Sequence, residues 1–241
     1  MMGIAPGRSE PQASWPAYMA QRARDARDER LRAYFAAWKL APETPLADTP
    51  LVALDVETTG LNASRHSLVS IGLVPFTLDR ILFSQRRHWL LRPRFPLQAR
   101  SVTLHHITHS DLAKAPDLGK ILGEVLDGMA GRLPVVHYRA IERSFLDSAL
   151  RYRLDESLLF PVIDTMALEA RIYRQSLLAR LRRWLGGKPV SIRMQESRSR
   201  YGLPVYQPHH AVLDALATAE LFQAQVATRF EPRTPIGDLW C

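Results

Sequence analysis

The chain has 241 residues, enough to bury a sizeable core as one domain or as one domain with an extension. Its 46% hydrophobic and 23% charged residues suit a soluble globular protein; no apolar run approaches the ~20 residues that span a bilayer, and Met1–Pro11 holds no apolar segment of signal-peptide type. The single cysteine, Cys241, excludes an intrachain disulfide and fits a cytoplasmic location, while a net charge of +8 favours a polyanionic partner, nucleic acid first.

Residues 1–14 are polar with Pro and Gly, and disorder is expected there. Trp15 to Leu40 reads as one helix, with Leu31, Tyr34, Phe35 and Trp38 as a stripe for the chain's own core or for a partner helix. Ala41 to Pro50, with Pro42, Pro45 and Pro50, reads as a linker. Strands are predicted at Leu51–Glu57, Ser67–Thr77 and Ile81–Leu91 as a meander, then at Leu133–His137 and Phe160–Asp164. Helical spacing marks Ser110–Ala130, Ile141–Tyr152, Thr165–Leu185 and Ala211–Phe230. The tail Glu231–Cys241 is either a polymerase- or clamp-binding segment or disordered. This order predicts an α/β fold: a mixed central sheet, antiparallel meander plus parallel strands, flanked by helices and preceded by a helical extension. The expected division is an extension over 1–49, a catalytic domain over 50–230 and a tail over 231–241.

Three constellations carry chemistry. In Leu51-Val52-Ala53-Leu54-Asp55-Val56-Glu57-Thr58-Thr59-Gly60-Leu61, alternation puts Asp55 and Glu57 on one face of a buried strand. Two such carboxylates either meet solvent at a sheet edge or share a hard divalent cation. In Val135-Val136-His137-Tyr138-Arg139-Ala140-Ile141-Glu142, an apolar pair runs through a polar break into a helix, whose first turn or so favours the charge of Glu142. In Pro208-His209-His210-Ala211-Val212-Leu213-Asp214, a loop delivers histidines ahead of a helix in which Asp214 sits among apolar positions. His210 stands at i−4 from Asp214 and His209 at i−5.

Together, in this order, these segments resemble the three motifs of the DEDDh group of 3′-5′ exonucleases, the DnaQ-like family that includes the proofreading subunit of bacterial DNA polymerase III, with an RNase H-like fold. The resemblance covers about residues 50–230 and departs from the pattern at the second motif. Tyr138-Arg139 replaces the usual small polar neighbour, and Glu142 stands where Asp is usual, adding about 1.5 Å of reach. It implies Asp55, Glu57, Glu142 and Asp214 as ligands of two divalent cations, Mg²⁺ or Mn²⁺, and His209 over His210 as general base. It further implies Thr58, Thr59, Gly60 and Leu61 around the 3′-terminal nucleotide, with His105 and His137 as further substrate contacts. His105-His106-Ile107-Thr108 resembles the segment before the second motif, although a capped turn explains it equally. Asp164 reads as an N-cap without a ligand role.

The resemblance implies hydrolysis of nucleic acid, single-stranded DNA ends first, releasing nucleoside 5′-monophosphates, with a DNA polymerase or another replication or repair protein as a partner. The alternatives are a nucleic-acid-binding or polymerase-associated module with weak catalysis, and an RNA-trimming enzyme. Charge distribution supports a polyanion: Arg80 to Ser110 has no acid, and among Arg171, Arg174, Arg180, Arg182, Arg183, Lys188, Arg193, Arg198 and Arg200 the only interspersed acid is Glu196.

Overall fold

The computed structural model describes residues 14–95 and 107–241; residues 1–13 of the expected disordered start, and His105, lie outside them. At its centre is β1 (Leu51–Thr58), in a five-stranded sheet with β2 (Leu68–Phe76), β3 (Arg87–Leu90), β4 (Leu133–Val136) and β5 (Ile163–Asp164), in the order β3-β2-β1-β4-β5. β1 pairs antiparallel with β2, as does β2 with β3, whereas β1 and β4, and β4 and β5, run parallel. The mixed sheet is therefore as the element order predicts. The helices are α1 (Trp15–Asp25), α2 (Glu29–Ala36), α3 (His109–Ala113), α4 (Leu118–Met129), α5 (Arg139–Leu154), α6 (Thr165–Ala170), α7 (Leu177–Trp184), α8 (Met194–Arg200) and α9 (Ala211–Arg229). None among the described residues is long and apolar enough to cross a membrane.

Strand alternation divides the core in two. Val52, Leu54 and Val56 pack with Met19, Phe35, Val125 and Phe145 from α1, α2, α4 and α5. Leu51 and Ala53, on the opposite face, pack with Leu168 of α6 and Val212, Ala215 and Phe222 of α9. Both faces of β1 are buried, which is why its sequence is nearly continuous in apolar residues.

Several boundaries differ from the sequence expectation, each for a local reason. The helix expected over Trp15–Leu40 is two helices, because Glu156 accepts the backbone N–H groups of Arg27 and Asp28, and the Asp28 side chain then caps α2. The helix expected over Ser110–Ala130 breaks ahead of Pro116, with a Thr108 capping box starting α3 and Asp117 capping α4. The strand expected over Ile81–Leu91 is reduced to β3, since Ile81 makes an isolated bridge to Phe76 and Phe83–Gln85 forms a 3₁₀ turn. Thr165–Leu185 is interrupted by a π-helical turn over Arg171–Gln175. The segment expected as a linker buries Leu46 in a 3₁₀ turn at Leu46–Asp48. The tail is ordered rather than loose: Val162 and Cys241 exchange both backbone hydrogen bonds, and Ile236 and Leu239 are buried.

Candidate active site

Asp55 and Glu57 continue the Leu51–Ala53 face of β1, the face covered by α9. Asp55 is paired across the sheet with Gly72 of β2, and a Cβ at Gly72 would lie 2.4 Å from the backbone C and O of Ala211. The missing side chain lets the first residue of α9 rest on the sheet backbone beside Asp55, which brings Asp214, in the first turn of α9, to the two acids. Sequence reading passed over Gly72, although a glycine inside an apolar strand is the usual sign of a close backbone approach.

The loop before α9 is held in an uncommon shape. His209 has φ +70°, the left-handed region, and its backbone N–H donates to Asp214 Oδ2 at 2.7 Å. One ring nitrogen of His209 and one carboxylate oxygen each of Glu57 and Asp214 lie within 4.8 Å of one another. His210 turns elsewhere: its ring stacks on His88 at 5.0 Å between centroids, and His88 Nε2 pairs with Ser70 Oγ at 2.8 Å.

Glu142 arrives from the other side of the sheet. The turn after β4 passes through Tyr138 at φ +94°, and the Asp164 carboxylate then accepts the N–H groups of Tyr138 (3.0 Å) and Arg139 (3.1 Å). The same carboxylate caps α6 through Met166 and Ala167. Asp164 is thus an N-cap, and it fixes the starts of two helices at once. Glu142 follows within the first turn or so of α5, 2% exposed, and its Oε2 finds no hydrogen-bond partner.

The electrostatics are those of an overcharged cage. Burial pushes the Asp55 carboxyl well above its ordinary range, and the carboxylates of Glu57, Asp214 and Glu142 push it further. Burial, with Asp214 beside it, pushes Glu57 up to about 8. Burial raises Glu142 well above its ordinary value, and Asp164 adds to that. Asp214 is raised by burial against the opposing pull of the His209 N–H and of the two neighbouring histidines. Among the described residues no arginine or lysine forms an ion pair with any of the four. Glu57 and Glu142 are buried, Asp55 and Asp214 half-buried, and an orphaned Glu142 oxygen beside acids with no countercharge suits a divalent cation with hard oxygen donors.

The turn after β1 is tightly tied. Thr58 Oγ1 donates to the Gly60 carbonyl at 2.8 Å, and Thr59 exchanges hydrogen bonds with the Ser67 backbone through its own N–H and its Oγ1. A Cβ at Gly60 would lie 2.5 Å from the His66 ring, and Leu61 projects outward, 72% exposed. His137 is drawn to a different set of groups. Its Nδ1 pairs with Thr165 Oγ1 at 2.8 Å, the charges acting on it are Asp164 and Glu169, and burial holds it neutral down to about pH 4.

Two arginines counted toward the basic surface are internal. Arg198, 4% exposed, pairs with Glu220 and donates to the carbonyls of Ala217 and Pro204. Arg200 pairs with the fully buried Glu169. Both acids lie outside the segment in which local charge was counted, so neither is offered to a polyanion.

The RNase_T exonuclease family model matches residues 52–222. Over 190 residues the chain is 28% identical to the DNA polymerase III subunit epsilon of Treponema pallidum, covering 79% of this chain and 81% of that one. It is 27% identical to the PolC-type DNA polymerase III of Bacillus subtilis over 78% of this chain but only 12% of that much longer protein. Among solved structures, Exonuclease X in complex with 5′ overhanging duplex DNA superposes with a TM-score of 0.59 at 20% identity, covering 78% of this chain and 98% of that one. The nuclease domain of 3′hExo, a DEDDh family member bound to rAMP, superposes with a TM-score of 0.61 at 14% identity, covering 75% and 92%.

Proposed function

The chain belongs to the exonuclease family and is a 3′-5′ exonuclease; from that premise we propose that it is of the DEDDh type and removes nucleotides from single-stranded DNA ends, with Asp55, Glu57, Glu142 and Asp214 holding two divalent cations. What supports this reading is the approach of Glu57, Asp214 and the His209 imidazole to one another, together with the charges of Glu57, Asp214 and Glu142 acting on Asp55.

Bound there, Mg²⁺ or Mn²⁺ would lower the pKa of an attacking water and offset the charge that develops on the leaving oxygen. The protein's own groups do the rest. The His209 imidazole accepts the proton of the attacking water, a contribution of about 10²- to 10⁴-fold for general-base catalysis. The strained backbone at His209 keeps that ring next to Glu57 and Asp214 by donating its N–H to Asp214. The turn Thr58-Thr59-Gly60-Leu61, fixed by its hydrogen bonds to Ser67, holds the 3′-terminal nucleotide, and the exposed Leu61 offers its base an apolar face. Glu142, one methylene longer than the aspartate usual in the family, reaches the cage from a helix start that Asp164 clamps in place.

The similarity to an epsilon subunit and to PolC-type polymerases supports a cytoplasmic role in replication or repair and association with a DNA polymerase. The test is to incubate 5′-labelled single-stranded DNA and RNA with the protein in Mg²⁺, in Mn²⁺ and in chelator. DNA should shorten from its 3′ end one nucleotide at a time with release of nucleoside 5′-monophosphates, and the chelator should stop it. Shortening of RNA alone would transfer the substrate to RNA, and no cation-dependent shortening of either would overturn the reading.

A further inference from the structure

A shallow cleft open to solvent lies behind the turn that follows β1. Among the described residues that line it there is no acid, neither one of the four clustered acids nor any other. Its inner end is formed by His66, whose ring packs under Gly60, and by Phe145 of α5. Its outer end is formed by Arg92, Arg94, Phe95 and Tyr152. On α5 the cleft is lined from Phe145, one turn after Glu142, to Tyr152, about 10 Å further along the helix at 1.5 Å per residue.

The chemistry of the outer end is that of a nucleotide site. The Arg94 guanidinium lies 3.6 Å from the centroid of the Tyr152 ring, a stacked pair that presents flat, sequence-tolerant faces to a base. Tyr152 is 58% exposed and Arg94 is exposed, so the pair is open to a ligand. Arg92 is also exposed, and among the described residues no carboxylate forms an ion pair with Arg92 or Arg94. Arg153, the third arginine of the cleft, is committed to Asp117 at 2.6 Å. Two exposed guanidinium groups and an aromatic ring, with Asp117 tied to Arg153 and acted on by Arg92 only through its charge, form the charge and stacking pattern of a single-strand binding surface. Ser148 Oγ donates to the Ala63 carbonyl at 2.8 Å, so the loop after β1 and the helix α5 hold the cleft between them as fixed walls.

We propose that this cleft binds a nucleotide of the substrate strand beyond the terminal one, with its base against Tyr152 and Arg94 and its phosphate at Arg92. The proposal rests on the exonuclease reading above and adds a second recognition point to it, one that acts on strands and not on single nucleotides.

The test compares the full chain with Tyr152→Ala, Arg94→Ala and Arg92→Ala, all changes at exposed positions, and with Lys39→Ala as a control for the loss of one exposed charge. Two substrates are used: the p-nitrophenyl ester of thymidine 5′-monophosphate, which is too small to reach the cleft, and thymidine oligomers of increasing length. Each cleft variant should raise KM for the longer oligomers about tenfold while kcat stays within twofold, a base-stacking effect by alanine substitution. Hydrolysis of the ester and the Lys39→Ala variant should be unchanged. The Kd of a labelled oligomer in chelator should rise by the same factor. Variants that match the parent on every length overturn the proposal, and so do variants that lose ester and oligomer hydrolysis equally. Displacement of the oligomer by free thymidine 5′-monophosphate that depends on Tyr152 would assign the cleft to product and overturn it as a strand site. If the parent protein hydrolyses neither substrate, the exonuclease reading fails and the oligomer Kd still decides the cleft.

Discussion

Glu169 and the acids Asp55, Glu57, Glu142 and Asp214 are finished in opposite ways. Glu169, fully buried, accepts from Tyr201 at 2.8 Å, from Gln225 at 2.9 Å and from the guanidinium of Arg200, which also reaches Ser197 and the Ser191 carbonyl. The knot is closed: its charge is neutralised from within the chain, and it fastens α8 and the segment after it to α6 and α9. Asp55, Glu57, Glu142 and Asp214 form no ion pair with a lysine or arginine among the described residues, and all four carboxyls are pushed above their ordinary range. A buried acid with a full set of partners serves the fold, whereas several without any require charge from outside.

That contrast breaks most sharply at Asp55. Asp55→Ala should lower turnover by about 10³-fold or more, since the cage supplies several kcal/mol of charge stabilisation, and should leave the melting temperature in chelator unchanged or raised because a source of repulsion is gone. Nucleotide release and a melt in chelator measure the two halves; retained activity would end the assignment. His209→Asn should lower kcat by about 10²- to 10⁴-fold with oligomer Kd unchanged, read by single-turnover hydrolysis and fluorescence anisotropy.

The closed knot should behave in the reverse sense. Glu169→Ala leaves Arg200 without its charge partner and should cost about 3 to 5 kcal/mol of stability in urea unfolding, with only an indirect effect on chemistry. His137, beside that knot, gives the pH signature. Its folded-state pKa is about 4 against an ordinary 6.5, so the unfolded chain binds the extra proton between those values. Stability should therefore fall as pH drops from about 6.5 to about 4, by up to about 3 kcal/mol, and His137→Gln should flatten that slope in a melting series. Addition of Mg²⁺ at about a hundredfold over its Kd should raise the stability of the parent by about 2 to 3 kcal/mol and that of Asp55→Ala by far less, measured by calorimetry.

Strand periodicity made the shared face of Asp55 and Glu57 legible, and element order made the mixed sheet legible, because both depend on neighbours in sequence. The contributions that escaped were made across distance. Nothing near Arg198 or Arg200 announces Glu220 and Glu169, so a local charge count mistook two structural arginines for surface ones. Glu156 ends α1 from 128 residues away, which no helix periodicity contains. The left-handed residues Tyr138 and His209 carry side chains that disfavour that conformation, so composition concealed the two turns that aim the site. Gly72 was readable in principle, as a gap in an apolar strand, but only the position of Ala211 gives the gap its purpose.

The family match begins at residue 52, yet Met19, Leu31, Tyr34 and Phe35 share one cluster with Leu54, Val125 and Phe145. A protein trimmed to the matched region would expose to water the part of that hydrophobic layer on which the two N-terminal helices pack, the Leu118–Met129 helix first. A fragment cut at the edge of the homology would therefore be the wrong starting point for producing this enzyme in soluble form.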